Sequence, residues 1–219
     1  MRKQIILSTA YFAPIEYFSI LLSDDCNVIV ERHENFNKQS YRNRCTIYAA
    51  NGLLNLVAPV VKMEKPKMRI DEVKISYSMQ WQKQHFKAIE SAYRRSPFYE
   101  FYVDELIEFF THRYEYIYEL NMHIMRKLCE LINIPCDVEE SSKFIKSETC
   151  KGIVDMRYKI HPKVKSANYD KYAHYTQVFG EKWGFKPNLS ILDLLFNAGP
   201  DAKEYLFNVL KTENMSYRR

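Results

Sequence analysis

Two arginines flank an asparagine in the segment SYRNRC, directly before a run of residues typical of a β-strand. Guanidinium groups bind phosphate or carboxylate through paired hydrogen bonds, so Arg42 and Arg44 on one strand face would suit an anionic ligand. Asn43 would then orient the strand end. The alternative is a set of salt bridges to nearby acidic residues, namely Asp24, Asp25, Glu31 and Glu34. The shared face favours substrate binding by Arg42 and Arg44. Asn43 would point to the opposite side, at the edge of the core, and is kept as a candidate substrate-binding residue.

His85 is the candidate for proton transfer, because imidazole titrates near neutral pH. Its helical spacing from Trp81 and Ala88 equally fits a core histidine with one ring nitrogen bonded internally. Tyr11 is a second candidate catalytic residue. It follows the first predicted strand, where an α/β sheet opens its ligand crevice, although packing against the next helix would also explain it. Thr9 would bind substrate there, or cap that helix.

A third group of candidates surrounds the start of an apolar helix near residue 190. Ser190 and Asp193 have the spacing of a helix cap, with Asp193 in the place of the usual Glu or Gln. The free N–H groups of a helix N-terminus also bind anions. Asp193 is therefore kept as a candidate catalytic residue and Asn188 as a candidate substrate-binding residue.

Composition excludes several classes of protein. Only 5 glycines occur among 219 residues, without the glycine-rich motifs of classical dinucleotide-binding or P-loop proteins. The 6 histidines and 5 cysteines lack metal-ligand spacing, so no metal and no cofactor are predicted. The odd number of cysteines, with no C-x-x-C pair, indicates reduced thiols in a cytoplasmic protein. No apolar run approaches the roughly 18 residues of a membrane span.

The elements that must position these residues begin with strands at 4–7 and 27–30 and a helix that starts at Pro14. The runs CTIYAA and LLNLVAPVV flank Asn51-Gly52, the pair favoured in type I′ hairpin turns. If Ala50 pairs with Leu53, one face of this hairpin is apolar. That face comprises Cys45, Ile47, Leu54, Leu56 and Ala58. Arg42 and Arg44 then lie on the other face.

The remaining chain is predicted to be mostly helical. The pattern indicates a strand at 71–77, helices at 81–96, 101–110 and 114–132, a polar loop or flap over 141–175, and two C-terminal helices over 190–210. The fold class is therefore α/β, with α+β as the alternative. We expect one domain over residues 1–219, in which helices cover a mixed sheet containing the hairpin.

The chain resembles the WbqC-like family, in a shorter form typical of Bacteroidetes. The resemblance is carried by STAYFAPIEYF (8–18), KQSYRNRCTIYAANG (38–52), W-x3-H-x4-ESAYRRSPFYEFY (81–102) and QVFGEKWGFKPNLSILDLLFNAGP (177–200). It implies a role in bacterial surface-polysaccharide synthesis, in which a transferase moves an aminoacyl or glycosyl group onto a nucleotide-linked or lipid-linked sugar. Many members have His-Gln-Pro where this chain has Ser8-Thr9-Ala10. If that histidine is catalytic in other members, this protein either lacks the step or uses another base, for which His85 is the candidate.

Two other functions are consistent with the sequence. One is a non-catalytic module of the same pathway, which binds a nucleotide or glycan and organises other enzymes. The other is single-stranded nucleic-acid binding through the basic, tyrosine-rich segment 157–175, a weaker hypothesis because a flap over the site would explain the same composition.

Overall fold

The computed structural model describes residues 3–23, 26–63, 65, 67–146, 152–166 and 172–217. The strands are β1 (Lys3–Ser8), β2 (Cys26–Glu31), β3 (Arg44–Ala49), β4 (Gly52–Val57), β5 (Val138–Glu140) and β6 (Ile153–Asp155). The helices are α1 (Ile15–Leu21), α2 (Trp81–Tyr93), α3 (Tyr99–Leu106), α4 (Glu108–Thr111), α5 (Ile117–Ile132), α6 (Gly180–Trp183), α7 (Ile191–Ala198) and α8 (Ala202–Tyr217). No helix in this described part is long and apolar enough to cross a membrane.

Four strands form an entirely parallel sheet in the order β5-β2-β1-β6. The central strand β1 is apolar over Ile5, Ile6 and Leu7, all of them buried, as expected for a strand covered on both faces. The α/β class and the antiparallel hairpin are confirmed. The hairpin, however, forms a separate two-stranded sheet, so the strands do not share one mixed sheet.

The strand order reverses between β1 and β6. From β1 the chain moves to β2 and then to β5 on one side, and it returns to the other side of β1 for β6. In open parallel sheets such a reversal leaves a crevice at the carboxyl ends of the two strands, where ligands bind. The segments that follow Ser8 and Asp155 therefore border the expected crevice.

The hairpin has a different turn from the predicted one. Ala49 pairs with Gly52, and of the turn residues Gly52 alone has a positive φ, of 104°. Asn51 therefore does not adopt the type I′ geometry, and the pattern is that of a turn followed by a glycine bulge. The pairing of β3 with β4 is shifted by two residues from the predicted register, so that Cys45 pairs with Leu56. A shift of two residues leaves every side chain on its predicted face of the hairpin. Cys45 and Ile47 are buried accordingly.

Other element predictions were wrong at short or irregular segments. The strand predicted at 71–77 is a 3₁₀ turn, Ile70–Glu72, followed by isolated β-bridges at Lys74 and Ile75. Strand β6 lies inside the predicted loop, because three residues are too few for a periodic pattern. The long helix begins at Ile117, three residues later than predicted.

Candidate functional site

Charged side chains gather at the carboxyl edge of the parallel sheet. Ser8 ends β1, Glu31 ends β2 and Asp155 ends β6. Because parallel strands end at the same edge, these residues are neighbours, and the loops that follow add Glu34, Arg42 and Arg157. We call this group the edge cluster. It comprises Ser8, Glu31, Glu34, Arg42, Asp155 and Arg157.

One half of the edge cluster is the ion pair between Arg42 and Glu34. Arg42 Nε donates to Glu34 Oε1 at 2.8 Å and Nη2 donates to Oε2 at 2.5 Å, which is the bidentate geometry of the strongest charge-assisted bonds. The same Nη2 donates to Ser8 Oγ at 2.7 Å. Both partners are almost completely buried, with exposed side-chain fractions of 2% and 0%.

The other half is centred on Arg157. Its guanidinium donates to Asp155, with Nη2 to Oδ2 at 2.5 Å, and to Glu31 Oε2 at 3.3 Å. Glu31 is fully buried and also accepts from Ser141 Oγ at 2.6 Å and from the backbone N–H of Ile145 at 2.8 Å. Four side chains with little or no exposure, two acidic and two basic, thus meet at one sheet edge.

Burial and hydrogen bonding act in opposite directions on the pKa of Glu34, a carboxyl group of the edge cluster. Burial raises the pKa of Glu34, while its hydrogen bonds with Arg42 and Ser8 act in the opposite direction. Glu34 is therefore the member of the cluster best suited to exchange a proton.

A small cavity lies beside the edge cluster, between the segments after β1 and β6. Its walls include Ser8, Thr9, Arg42 and Arg157, and its volume of about 10 Å³ is enough for about one water molecule. Thr9 is 1% exposed, and its Oγ1 has no hydrogen-bond partner within the described residues. A buried hydroxyl without a partner is costly, so its position beside a cavity indicates a place for one polar atom of a ligand.

Several basic side chains act on His161, which follows Ile160 of the cavity wall. Burial lowers the pKa of His161, and the positive charges of Arg42, Lys163 and Arg44 lower it further. Arg42, Arg44 and Lys163 are therefore all close enough to His161 to lower its pKa. Unlike Arg42, Arg44 has no ion pair among the residues described, and its buried Nε has no hydrogen-bond partner there. The anion site predicted from the sequence therefore stays a prediction for Arg44.

The shared strand face predicted for the two arginines was wrong in detail. Arg42 lies before β3, and its guanidinium is held by Glu34, one of the acidic partners considered from the sequence. Asn43 points to the core, where its Nδ2 donates to the backbone carbonyl of Ala58 at 2.9 Å. Asp24 and Asp25, also considered as partners, lie outside the described residues.

Tyr11 and His85 form a buried pair that does not line the cavity. The Tyr11 hydroxyl lies 2.9 Å from Nδ1 of His85, and the ring of His85 also bonds the backbone of Val57. A backbone carbonyl only accepts, so the ring donates to Val57 and Nδ1 accepts from Tyr11. Burial lowers the pKa of His85 to about 4, which keeps the ring neutral at pH 7. This geometry is that of a satisfied core histidine, the alternative considered from the sequence.

The depressed pKa of His85 predicts a loss of stability in acid. An unfolded histidine takes up a proton near pH 6.5, whereas the folded one does so only near pH 4. Stability conferred by His85 is therefore complete above pH 6.5 and is lost as the pH falls to 4, by up to about 3 kcal/mol. In urea unfolding at pH 4.5 to 7.5, the wild type should lose stability relative to His85→Gln as the pH falls, because other buried groups such as Asp193 titrate equally in both proteins. Parallel profiles for the two proteins would contradict it.

Asp193 and Asn188 lie away from the cavity, in separate contacts. Asp193 is fully buried, and its Oδ2 accepts from Tyr175 at 2.6 Å and from Gln177 at 2.8 Å. Burial raises its pKa to about 6. The Asn188 side chain accepts from the backbone N–H of Glu16 and donates to the carboxyl group of Glu16 at 3.1 Å. Ser190 caps α7 as predicted.

Sequence reasoning missed most of the edge cluster. Glu31 and Glu34 were considered only as partners for arginine, and Asp155, Arg157 and His161 fell in the predicted loop. The available signal was position, because Glu31 directly follows the apolar run NVIV, and polar residues at the carboxyl end of a buried strand often line a crevice. In the part of the chain that the structure describes, no three His, Cys, Asp or Glu residues are placed to hold a metal ion.

Comparison with known proteins places the chain in a family. It matches the WbqC-like protein family over residues 9–169 and 159–205. The uncharacterised protein Rv1507c of Mycobacterium tuberculosis (strain ATCC 25618 / H37Rv) is 25% identical over 231 residues, which cover 94% of this chain and 98% of that protein. No solved structure matches. Because the family match extends over most of the chain, this protein is a member of the WbqC-like protein family.

Proposed function

We propose that this protein is a transferase of bacterial surface-polysaccharide synthesis, which transfers an aminoacyl or glycosyl group to a nucleotide-linked or lipid-linked sugar. The observation that carries the proposal is the edge cluster, with its buried charges at the strand-order reversal of a parallel sheet. Burying paired charges gives little net stability, so their position at the usual ligand crevice favours a functional role. Membership of the WbqC-like family supports the choice of pathway.

In this proposal the cavity takes the reacting hydroxyl or amine of the acceptor. That group would meet Thr9 Oγ1 and Ser8, with Glu34 in contact with Ser8 at 3.3 Å. Glu34 would accept the proton that the nucleophile loses as it bonds to the transferred group, and the leaving group would depart with the bonding electrons. Arg42 and Arg157 would stabilise the negative charge that develops.

The anionic part of the substrate would lie outside this cavity, which has room for about one water molecule. Arg44 is the nearby arginine without an ion pair to a described residue, and Lys163 lies close to the same histidine, His161. Arg44 would therefore bind the phosphate of the sugar substrate. This assignment keeps the role predicted for Arg44 from the sequence and changes that of Arg42.

The substitution Thr9→Val tests the proposal. It removes a buried hydroxyl that has no partner among the described residues and keeps the shape of the side chain. The free energy of unfolding should stay the same or rise by about 1 kcal/mol, because an unsatisfied polar group has been removed. A panel of nucleotide-linked sugars, sugar phosphates and aminoacyl donors should contain a ligand that raises the Tm of the wild type. That rise should be lost in Thr9→Val.

The matched control is Thr46→Val, which makes the same change on the hairpin, where Thr46 Oγ1 donates to Asn55 at 2.8 Å. This variant should keep the full response to the ligand. If Thr9→Val responds like the wild type, the cavity does not hold the ligand. If no member of the panel raises the Tm of the wild type, the transferase proposal fails, and a non-catalytic module that binds a glycan becomes the better hypothesis.

A further inference from the structure

A second, much larger cleft lies beyond the C-terminal end of α2. It is formed by the last turn of α2 with the following residues 94–97, the hairpin tip at Ala50, the segment 176–179 and Asn197 of α7. Its volume is about 640 Å³, within the range of clefts that bind cofactors and small substrates. We call it the arginine cleft, because Arg94 and Arg95 line it side by side.

The two arginines of this cleft have no acidic partner. Both side chains are exposed, and neither forms an ion pair with any residue that the structure describes. Glu90 lies one turn before Arg94, at the spacing of a typical helical ion pair, yet the pair does not form. No Asp or Glu belongs to the described lining of the cleft. Two adjacent positive charges therefore line the cleft, and no described carboxylate neutralises them.

The other groups in the cleft indicate what the ligand carries. Ser91, Thr176 and Asn197 add hydroxyl and amide groups, and the half-buried ring of Phe179 adds an apolar surface. Phe179 is held in place by Tyr48, whose ring centre lies 5.9 Å away. Paired guanidiniums suit a phosphate or diphosphate, while hydroxyl groups beside an aromatic ring suit a sugar or a base.

We propose that the arginine cleft binds a phosphate-bearing small molecule, through its phosphate groups, at a site distinct from the edge cluster. The two sites share no lining residue. Arg44 begins β3 near the edge cluster, whereas Ala50 at the hairpin tip borders the cleft, so the length of the strand separates them by roughly 20 Å. The proposal concerns binding alone and requires no reaction at the edge cluster.

Isothermal titration calorimetry with inorganic pyrophosphate tests the proposal on the full chain. The wild type should bind, and the double variant Arg94→Ala, Arg95→Ala should bind at least about tenfold more weakly, since charge-assisted hydrogen bonds to the phosphates are lost. Replacing both by lysine keeps the charge but loses the paired hydrogen bonds, so affinity should fall between the two. Failure of the wild type to bind pyrophosphate would overturn the proposal.

The matched control is the double variant Lys83→Ala, Lys87→Ala. It removes two exposed positive charges from α2, the helix that precedes the two arginines, at positions that do not line the cleft. Its affinity for pyrophosphate should stay within about twofold of the wild type. An equal loss in both double variants would show that general surface charge attracts the anion, and would overturn the proposal. Ser91→Trp places a large ring in the cleft without removing charge and should also weaken binding.

Three further ligands separate the sources of the phosphate. Uridine diphosphate represents nucleotide-linked sugars, farnesyl phosphate represents lipid-linked ones, and uridine lacks phosphate. Stronger binding of uridine diphosphate than of pyrophosphate would assign the cleft to a nucleotide, and stronger binding of farnesyl phosphate would assign it to a lipid carrier. Binding of uridine as tight as that of its diphosphate would overturn the role of the phosphate. The edge-cluster test measures the rise in Tm that Thr9→Val loses, and the cleft test measures the affinity that Arg94→Ala, Arg95→Ala loses. Because the two sites share no lining residue, failure of the cleft and failure of the edge cluster are distinguishable.

Discussion

Replacing Arg42 by alanine will lower the free energy of unfolding by about 3–5 kcal/mol, because Glu34 then remains buried without its partner. For a chain of this length the loss corresponds to a fall in Tm of roughly 6–20 °C. Burial already raises the pKa of Glu34, and the loss of Arg42 raises it further. Glu34 will therefore take up a proton in mild acid, and the destabilisation will be smaller at pH 5 than at pH 8. Urea unfolding followed by the fluorescence of the buried Trp81 measures both effects.

A double-mutant cycle separates the ion pair from other effects of the substitution. The variants are Arg42→Met, Glu34→Gln and the two together, and the double variant should lose much less stability than the sum of the single losses. The exposed pair Lys74–Glu115, with its charged atoms 2.8 Å apart, is the control, and Lys74→Ala should cost about 0–1 kcal/mol. A loss below 1 kcal/mol for Arg42→Ala would show that water reaches Glu34 freely.

The substitution Gly199→Ala will be strongly destabilising for two independent reasons. Gly199 has φ 53° and ψ −122°, a conformation that residues with a Cβ rarely adopt, at a cost of about 1–3 kcal/mol. A Cβ at this position would also lie 2.5 Å from the ring of Phe98, and forcing it in should cost about 1–3 kcal/mol more. Thermal and urea unfolding should therefore show a combined loss of about 2–6 kcal/mol.

Two variants distinguish the contributions at Gly199. At Gly184, with φ 74°, an added Cβ would meet nothing within 4 Å, so Gly184→Ala should show the cost of backbone strain alone. Phe98→Ala removes the ring that a Cβ at residue 199 would meet. The stability that Phe98→Ala costs should therefore be smaller when it is added to Gly199→Ala than when it is added to Gly184→Ala. If Gly199→Ala is as mild as Gly184→Ala, the ring of Phe98 moves aside without cost.

Local patterns predicted the elements that have a periodic apolar face. The run of Ile5 to Leu7 and the alternation around Ile47 predicted the strands and their buried faces correctly. The spacing of apolar residues along a strand determines which of its faces is buried, whichever strand it pairs with. The turn at Gly52 was wrong because Asn-Gly fits more than one hairpin turn, and the choice depends on contacts made by the whole hairpin. Strand β6 could not be predicted, since its three residues form a strand only by pairing with β1.

The candidate site was less predictable than the fold for a related reason. Thr9 and Arg42 were chosen because they lie near strand ends, and both line the cavity. Arg157 and Glu31 are far apart in sequence and meet only through the order of the strands. His85 was attractive by residue type, but burial and the bond to Tyr11 give it the environment of a core residue. Residue types in the sequence indicate which side chains could take part in chemistry. The order of the strands in the sheet determines which of those side chains come together.

The position of β6 also sets when the edge cluster can form during synthesis. Strand β1 can pair early with β2, which follows it closely, but its other edge waits for residues 153–155. Until that segment has left the ribosome, β1 exposes unpaired backbone groups, and Glu31 lacks the guanidinium of Arg157. A nascent chain that stops before residue 153 would therefore carry an open sheet edge and an unneutralised acid. Such an intermediate is a natural substrate for chaperones.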